Sequence, residues 1–143
     1  STVPVPERTP IPVALTRYAA QSLYAPLRTV ESLPGVRRVP LKLRTELPTL
    51  LPTENVSSTP IAVWRLGDYW VTAVKLRNRG SETVQLDPRR LQAKLFAAAF
   101  QHAFLGPVGS AEDTTIAYLV TRGAGLEQAV LLPPVARGAD DES

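Results

Sequence analysis

The sequence predicts a mainly β protein: an antiparallel β-sandwich of immunoglobulin-like type, with one short N-terminal helix and proline-rich flanks. Three observations carry this. Six or seven short apolar stretches recur at roughly 8–12-residue intervals, the spacing of sandwich strands. Gly, Asn and Pro clusters separate them, where chain reversals need positive or fixed φ. Within the stretches apolar and polar residues alternate with period two, and β-branched and aromatic types are frequent. With 143 residues, 44% of them hydrophobic and 20% charged, the chain holds one domain's worth of sequence and enough for a core.

Residues 1–12 contain Pro4, Pro6, Pro10 and Pro12 without an apolar period and read as a linker or tether. Leu15, Ala19, Leu23 and Leu27 then fall at four-residue spacing, which predicts a helix over Leu15–Leu27 with Thr16 as N-cap and Pro26 as its stop. Helices shorter than ~12–15 residues are marginal alone in water, so this one must dock, on its own domain or on a neighbour. Leu33-Pro34-Gly35 is a turn. Val36–Arg44 alternates, with Val39, Leu41 and Leu43 on one side, and Pro40 inside it marks an edge strand. Leu47–Pro60 reads mostly as loop.

The most ordered stretch runs from Ile61 to His102. Ile61–Leu66 and Tyr69–Asn78 are strands joined by a Gly67-Asp68 turn, and Asn78-Arg79-Gly80-Ser81 closes a second hairpin onto Thr83–Asp87. Arg89–Phe100 fits both periods, since Leu91, Ala93, Leu95, Ala97 and Ala99 alternate while the alanines also suit a helix. Its place among hairpins favours strand. Gln101–Glu112 is loop, and Thr114–Thr121 is a strand with Ile116, Tyr118 and Val120 on one face. Gln128–Leu132 adds a last strand. The sandwich domain therefore spans residues 13–135, and residues 136–143 form a polar, acidic, disordered tail.

The residues offer little for chemistry. There is no cysteine, which excludes disulfides, thiolate metal sites and cysteine nucleophiles. His102 is the sole histidine, and no nucleophile elbow surrounds Ser57, Ser58, Ser81 or Ser110 that would make a triad with it. Asp68 and Asp87 sit beside Gly or Pro in turns, where bonding to backbone explains them, and Glu112-Asp113 reads as a solvated loop. Gly106-Pro107-Val108-Gly109 lacks the Lys-Ser/Thr of a phosphate loop. Trp64 and Trp70 flank one turn, and at least one of them belongs to the core. The net charge of +3 is mild. It admits an acidic or nucleic-acid partner, but no dense basic block or stacking platform accompanies it. The longest apolar run, Leu95–Phe100, is far below the ~20 residues of a membrane span. With no methionine and no signal peptide, the chain is expected to be a mature product or a piece of a longer protein.

Several patches carry a family likeness: Arg17-Tyr18-Ala19-Ala20-Gln21-Ser22-Leu23-Tyr24-Ala25-Pro26, Ala62-Val63-Trp64-Arg65, Val71-Thr72-Ala73-Val74-Lys75-Leu76-Arg77-Asn78, Leu86-Asp87-Pro88-Arg89, Phe100-Gln101-His102, Asp113-Thr114-Thr115 and Tyr118-Leu119-Val120. Over about residues 14–132 the chain resembles integrating conjugative element proteins, which are similar to the TraK-type component of conjugative type IV secretion systems. The resemblance implies a non-catalytic structural subunit of the outer-membrane core complex, in the periplasm and associated with the outer membrane through partners. It implies a C-terminal β-sandwich that contacts a lipoprotein and other core subunits and is repeated within a ring. No active site, cofactor, metal or small-molecule substrate follows from it. The expected partner surface is a strand edge, with Val39, Leu41 and Leu43 on one candidate strand and Ile116, Tyr118 and Val120 on the other. The competing reading is a nucleic-acid or polyanion-binding module.

Overall fold

The computed structural model describes residues 9–24, 32–43 and 46–130. Helix α1 spans Ile11–Tyr24, and seven strands follow: β1 (Arg37–Val39), β2 (Val56–Leu66), β3 (Tyr69–Asn78), β4 (Val84–Gln85), β5 (Ala97–Phe100), β6 (Phe104–Leu105) and β7 (Thr114–Arg122). Short 3-10 helices occupy Pro88–Arg90 and Leu126–Gln128. The fold is mainly β and sandwich-like. A five-stranded antiparallel sheet has the order β1-β2-β3-β7-β5, and β4 pairs with β6 in a small second sheet.

The central strands are buried on both faces, which is why they read as nearly unbroken apolar runs. On one face Val71 and Ala73 of β3 and Ile116, Tyr118 and Val120 of β7 meet Ala62 and Trp64 of β2. Leu15 and Ala19 of α1, both fully buried, close this cluster. Burying one leucine side chain is worth about 1.5–3 kcal/mol, and such contacts hold a helix of this length in place. On the opposite face Val74, Leu76, Ala117 and Leu119 pack against Leu47, Leu50, Leu51, Leu86, Leu91, Leu105 and Leu126, which the loops and the small sheet supply.

Turn chemistry sets the registers. Gly67, with φ of +61°, stands first in the two-residue link between Leu66 and Tyr69, the position where a type II′ hairpin turn needs glycine. Asn78 ends β3 fully buried. Its side-chain amide donates to the carbonyls of Glu82 and Gly106, both at 2.8 Å, and its oxygen accepts from Gly80 N–H at 2.9 Å. One side chain thus ties two loops to the end of the sheet.

Several expectations need correction. The helix begins at Ile11, four residues before the predicted Leu15 and inside the supposed tether, with Pro12 in the first turn, where a missing N–H costs nothing. Thr16 is therefore an interior residue whose hydroxyl donates to the Pro12 carbonyl at 2.7 Å, and it caps nothing. Pro26, Leu27, residues 1–8 and the tail 136–143 lie outside the described residues. The second strand starts at Val56 and contains Pro60, which reads locally as a breaker. It is tolerated because β1 pairs only with residues 63–65, leaving that flank of β2 without a ladder at Pro60, and the register shifts between Pro60 and Ala62. The second hairpin does not form: β4 pairs with β6, and β7 takes the place beside β3. Only Ala97–Phe100 of the Arg89–Phe100 stretch is strand, preceded by a 3-10 turn that Asp87 caps and by a single bridge from Ala93 to Val130. That bridge and the 3-10 turn Leu126–Gln128 stand in place of a last strand within the described residues.

Candidate partner-binding site

The sheet has two edges, and they differ. β1 is three residues long, carries Arg37 and Arg38, and is followed by Pro40 and Lys42, the devices by which proteins blunt an edge. β5 reads Ala-Ala-Ala-Phe, with neither charge nor proline. Its inner side pairs with Ala117–Val120 of β7. Gln101 N–H donates to the Ile116 carbonyl at 2.8 Å, and counting back along the antiparallel ladder puts Ala98 and Phe100 at non-hydrogen-bonded positions. Their N–H and C=O groups point away from β7, towards the open edge.

A groove runs beside this edge. α1 rests on β2, β3 and β7, and the strip of sheet face at β5 is left open between them. Two adjoining hollows of about 390 and 470 Å³ follow it, lined by Val13, Thr16, Arg17 and Tyr24 from the helix and by Ala97–Gln101 from the strand. Small alanine side chains make the strand wall shallow. Val13 is 49% exposed, Tyr24 57% and Phe96, at the mouth of β5, 51%, so large apolar side chains line the open surface. Phe96 stands edge-on to Tyr69, with ring centroids 5.2 Å apart.

Tyr118 lies in the wall of the groove, and its hydroxyl is among the buried polar atoms that have no hydrogen-bond partner within the described residues. Burial, with a smaller contribution from the charge Tyr24 would carry, pushes its phenol up to about 12. It stays a neutral O–H donor at every ordinary pH. An unmade hydrogen bond at a buried hydroxyl costs about 1–3 kcal/mol, so a carbonyl brought into the groove would be favoured there.

Of the residues expected to form an edge, Val39 sits in β1, a true edge. Leu41 and Leu43 lie past its end, and Leu43 turns inward onto the leucine cluster. Ile116, Tyr118 and Val120 share one face, as their alternation predicts, but β7 is interior, flanked by β3 and β5. Period two reports which face is buried and is silent on which strands lie alongside. Of these three only Tyr118 and Val120 line the groove. The usable edge, Ala97–Phe100, went unrecognised as one. The stretch reads correctly as strand, but local alternation does not encode which strand lies beside it, so its place at the edge has no local signal beyond the lack of charge and proline in Ala97–Phe100.

The residues weighed for catalysis are engaged locally. His102 Nδ1 is 2.9 Å from the Phe104 carbonyl, and its backbone N–H donates to Thr115 Oγ1 at 3.1 Å. Asp87 caps the 3-10 turn and pairs with Arg89 at 2.9 Å, which lowers its pKa. Asp113 accepts from Gly109 N–H and from the Thr114 hydroxyl, both at 2.9 Å, and these bonds hold its carboxyl below the usual aspartate range. Among the described residues no three acidic or histidine side chains converge on a point that could hold a metal, and no helix is long and apolar enough to cross a membrane.

Among the described residues, fold and groove together define a β-domain with one unprotected edge. The chain belongs to the family described as Protein of unknown function (DUF3438), whose model matches residues 1–140. No curated protein matches it.

Proposed function

We propose that this domain is a non-catalytic assembly module that receives an extended segment of a partner protein as an added strand on β5, with side chains in the groove against α1. The observation that carries the reading is the uncharged, proline-free edge Ala97–Phe100 opening onto an apolar groove lined by Tyr118, whose hydroxyl has no hydrogen-bond partner among the described residues. Strand addition supplies main-chain hydrogen bonds at Ala98 and Phe100 and pockets for alternate side chains. The sequence resemblance to TraK-type components supports a setting for it: a structural subunit of a conjugative type IV secretion system, in the periplasmic and outer-membrane core complex, with a lipoprotein and other core subunits as partners.

The test is co-purification of the tagged chain from its native envelope, followed by mass spectrometry, in parallel with Ala98→Pro. Proline removes an outward N–H while leaving the β7 ladder intact. Secretion-core subunits recovered with the native sequence and lost with Ala98→Pro are the expected result. Recovery without such subunits would sink the secretion setting, and equal recovery with the proline variant would sink the edge. Alone in solution the chain is expected to be a monomer or weakly associating. A stable high-order ring seen by light scattering contradicts that.

A further inference from the structure

A second surface lies at the opposite edge of the sheet. Arg37 of β1 pairs directly across from Arg65 of β2, and Arg65 across from Trp70 of β3, so the three side chains form one transverse row on the same face. A cleft of about 240 Å³ opens on this row, completed by Val39, Pro40, Lys42 and Val63, with Arg38 at its rim. Like charges directly opposite in a sheet are destabilising. Yet no carboxylate among the described residues makes an ion pair with Arg37, Arg38, Lys42 or Arg65. Glu127, the one acid lining the cleft, is folded against Gly125, where its carboxylate takes the space a Cβ would need.

Arg65 is also held ready. Its Nε donates to the Gly67 carbonyl at 2.9 Å, and its guanidinium lies 4.2 Å from the centroid of the Trp70 ring. A guanidinium fixed by stacking and one hydrogen bond loses less entropy on binding and presents its remaining N–H groups in the planar fork that suits a carboxylate.

We infer that this cleft binds an acidic segment of a partner protein, with a carboxylate seated between Arg37 and Arg65 and a second one near Lys42. A nucleic acid fits less well. Single-stranded binding depends on bases stacking on open rings, and the Trp70 face is already covered by Arg65. A phosphate chain also needs a track of cations, and these are gathered at one point. The site is independent of the β5 groove: it lies at the other edge and uses other residues, so either can fail without the other.

The experiment titrates the full 143-residue chain with a hexaglutamate peptide and, separately, with a single-stranded oligothymidylate, at low and at physiological salt. Calorimetry gives the affinity, and the Trp70 indole and Arg65 Nε–H resonances locate the site. Hexaglutamate is expected to bind and move both resonances. Arg37→Ala and Arg65→Ala should each weaken it about tenfold, the size of one charge-assisted pair, whereas Arg89→Ala leaves it unchanged. Arg37→Ala in the free protein should leave the melting temperature unchanged or raised, because it removes a cross-strand repulsion. Arg65→Lys, which keeps the charge and loses the fork, should fall between. No binding of hexaglutamate, or binding that Arg37→Ala leaves untouched, overturns the inference. Tighter binding of oligothymidylate, lost in the same variants, overturns it in favour of nucleic acid. Should Arg65→Ala fail to fold, Arg37→Ala on the exposed edge strand decides.

Discussion

Replacing Asn78 by alanine tests the packing logic at one point. The side chain is fully buried and makes three hydrogen bonds, to the Glu82 and Gly106 carbonyls and from Gly80 N–H. Glu82 is exposed and Gly80 half-buried, so water can replace those two bonds, and each contributes about 1 kcal/mol net. Gly106 is buried, and its carbonyl left without the amide costs about 1–3 kcal/mol. The sum is about 3–5 kcal/mol. In urea, with a slope of roughly 2 kcal/mol/M, the unfolding midpoint should fall by roughly 2 M with the slope unchanged. In a thermal melt the same loss corresponds to roughly 10–15 °C at this chain length. Asn78→Asp sharpens the test, because it keeps the acceptor for Gly80 and turns an oxygen towards two carbonyls. It should be at least as damaging as alanine. A loss below about 1 kcal/mol in Asn78→Ala, or tolerance of Asn78→Asp, would mean that the amide is not what ties these loops to the sheet.

Two further outcomes follow from the core and from the loops. Leu119→Ala empties a fully buried position in the interior strand β7, facing the leucine cluster, and should cost about 2–5 kcal/mol, read by the same urea unfolding. Asp113, whose folded pKa is depressed, contributes stability that is fully present above the ordinary aspartate pKa. That contribution is lost as pH falls through the lower folded value. Protection of the Gly109 amide, relative to the intrinsic exchange rate at each pH, should therefore fall on acidification below the aspartate range, and Asp113→Asn should remove that change in protection.

Much of the fold is legible in the sequence where the cause is local. Tyr69–Asn78 and the Gly67-Asp68 turn follow from alternation and from one glycine at positive φ, and both are found as read. Trp64 is buried, as at least one tryptophan had to be, while Trp70 is half-buried beneath Arg65. What local pattern could not reveal is pairing. Thr83–Asp87 looks like the return of a hairpin because Asn78 and Gly80 suit a turn. Yet Asn78 spends its side chain on Gly106, twenty-eight positions along, and so steers the chain off the sheet. The candidate site suffered most, because an edge is defined by what fails to lie beside it. The Arg65–Trp70 stack joins residues five apart through a hairpin, and its partner Arg37 comes from a strand joined only through tertiary structure.

The strand order has a consequence for how the molecule comes into being. β2 and β3 form a local hairpin, but the outer side of β3 is filled by β7, which arrives only after residues 79–113 have gone out and come back. A chain emerging from its N-terminus therefore carries β3, with Val71, Ala73, Val74 and Leu76, as a temporarily unpaired edge until Arg122 is in place. Sheets that close through such distant segments fold slowly, and an open apolar strand invites the wrong neighbour during that time. A truncation between residues 101 and 113 removes β7 entirely, leaving one side of β3 open and β5 without its partner strand in the sheet.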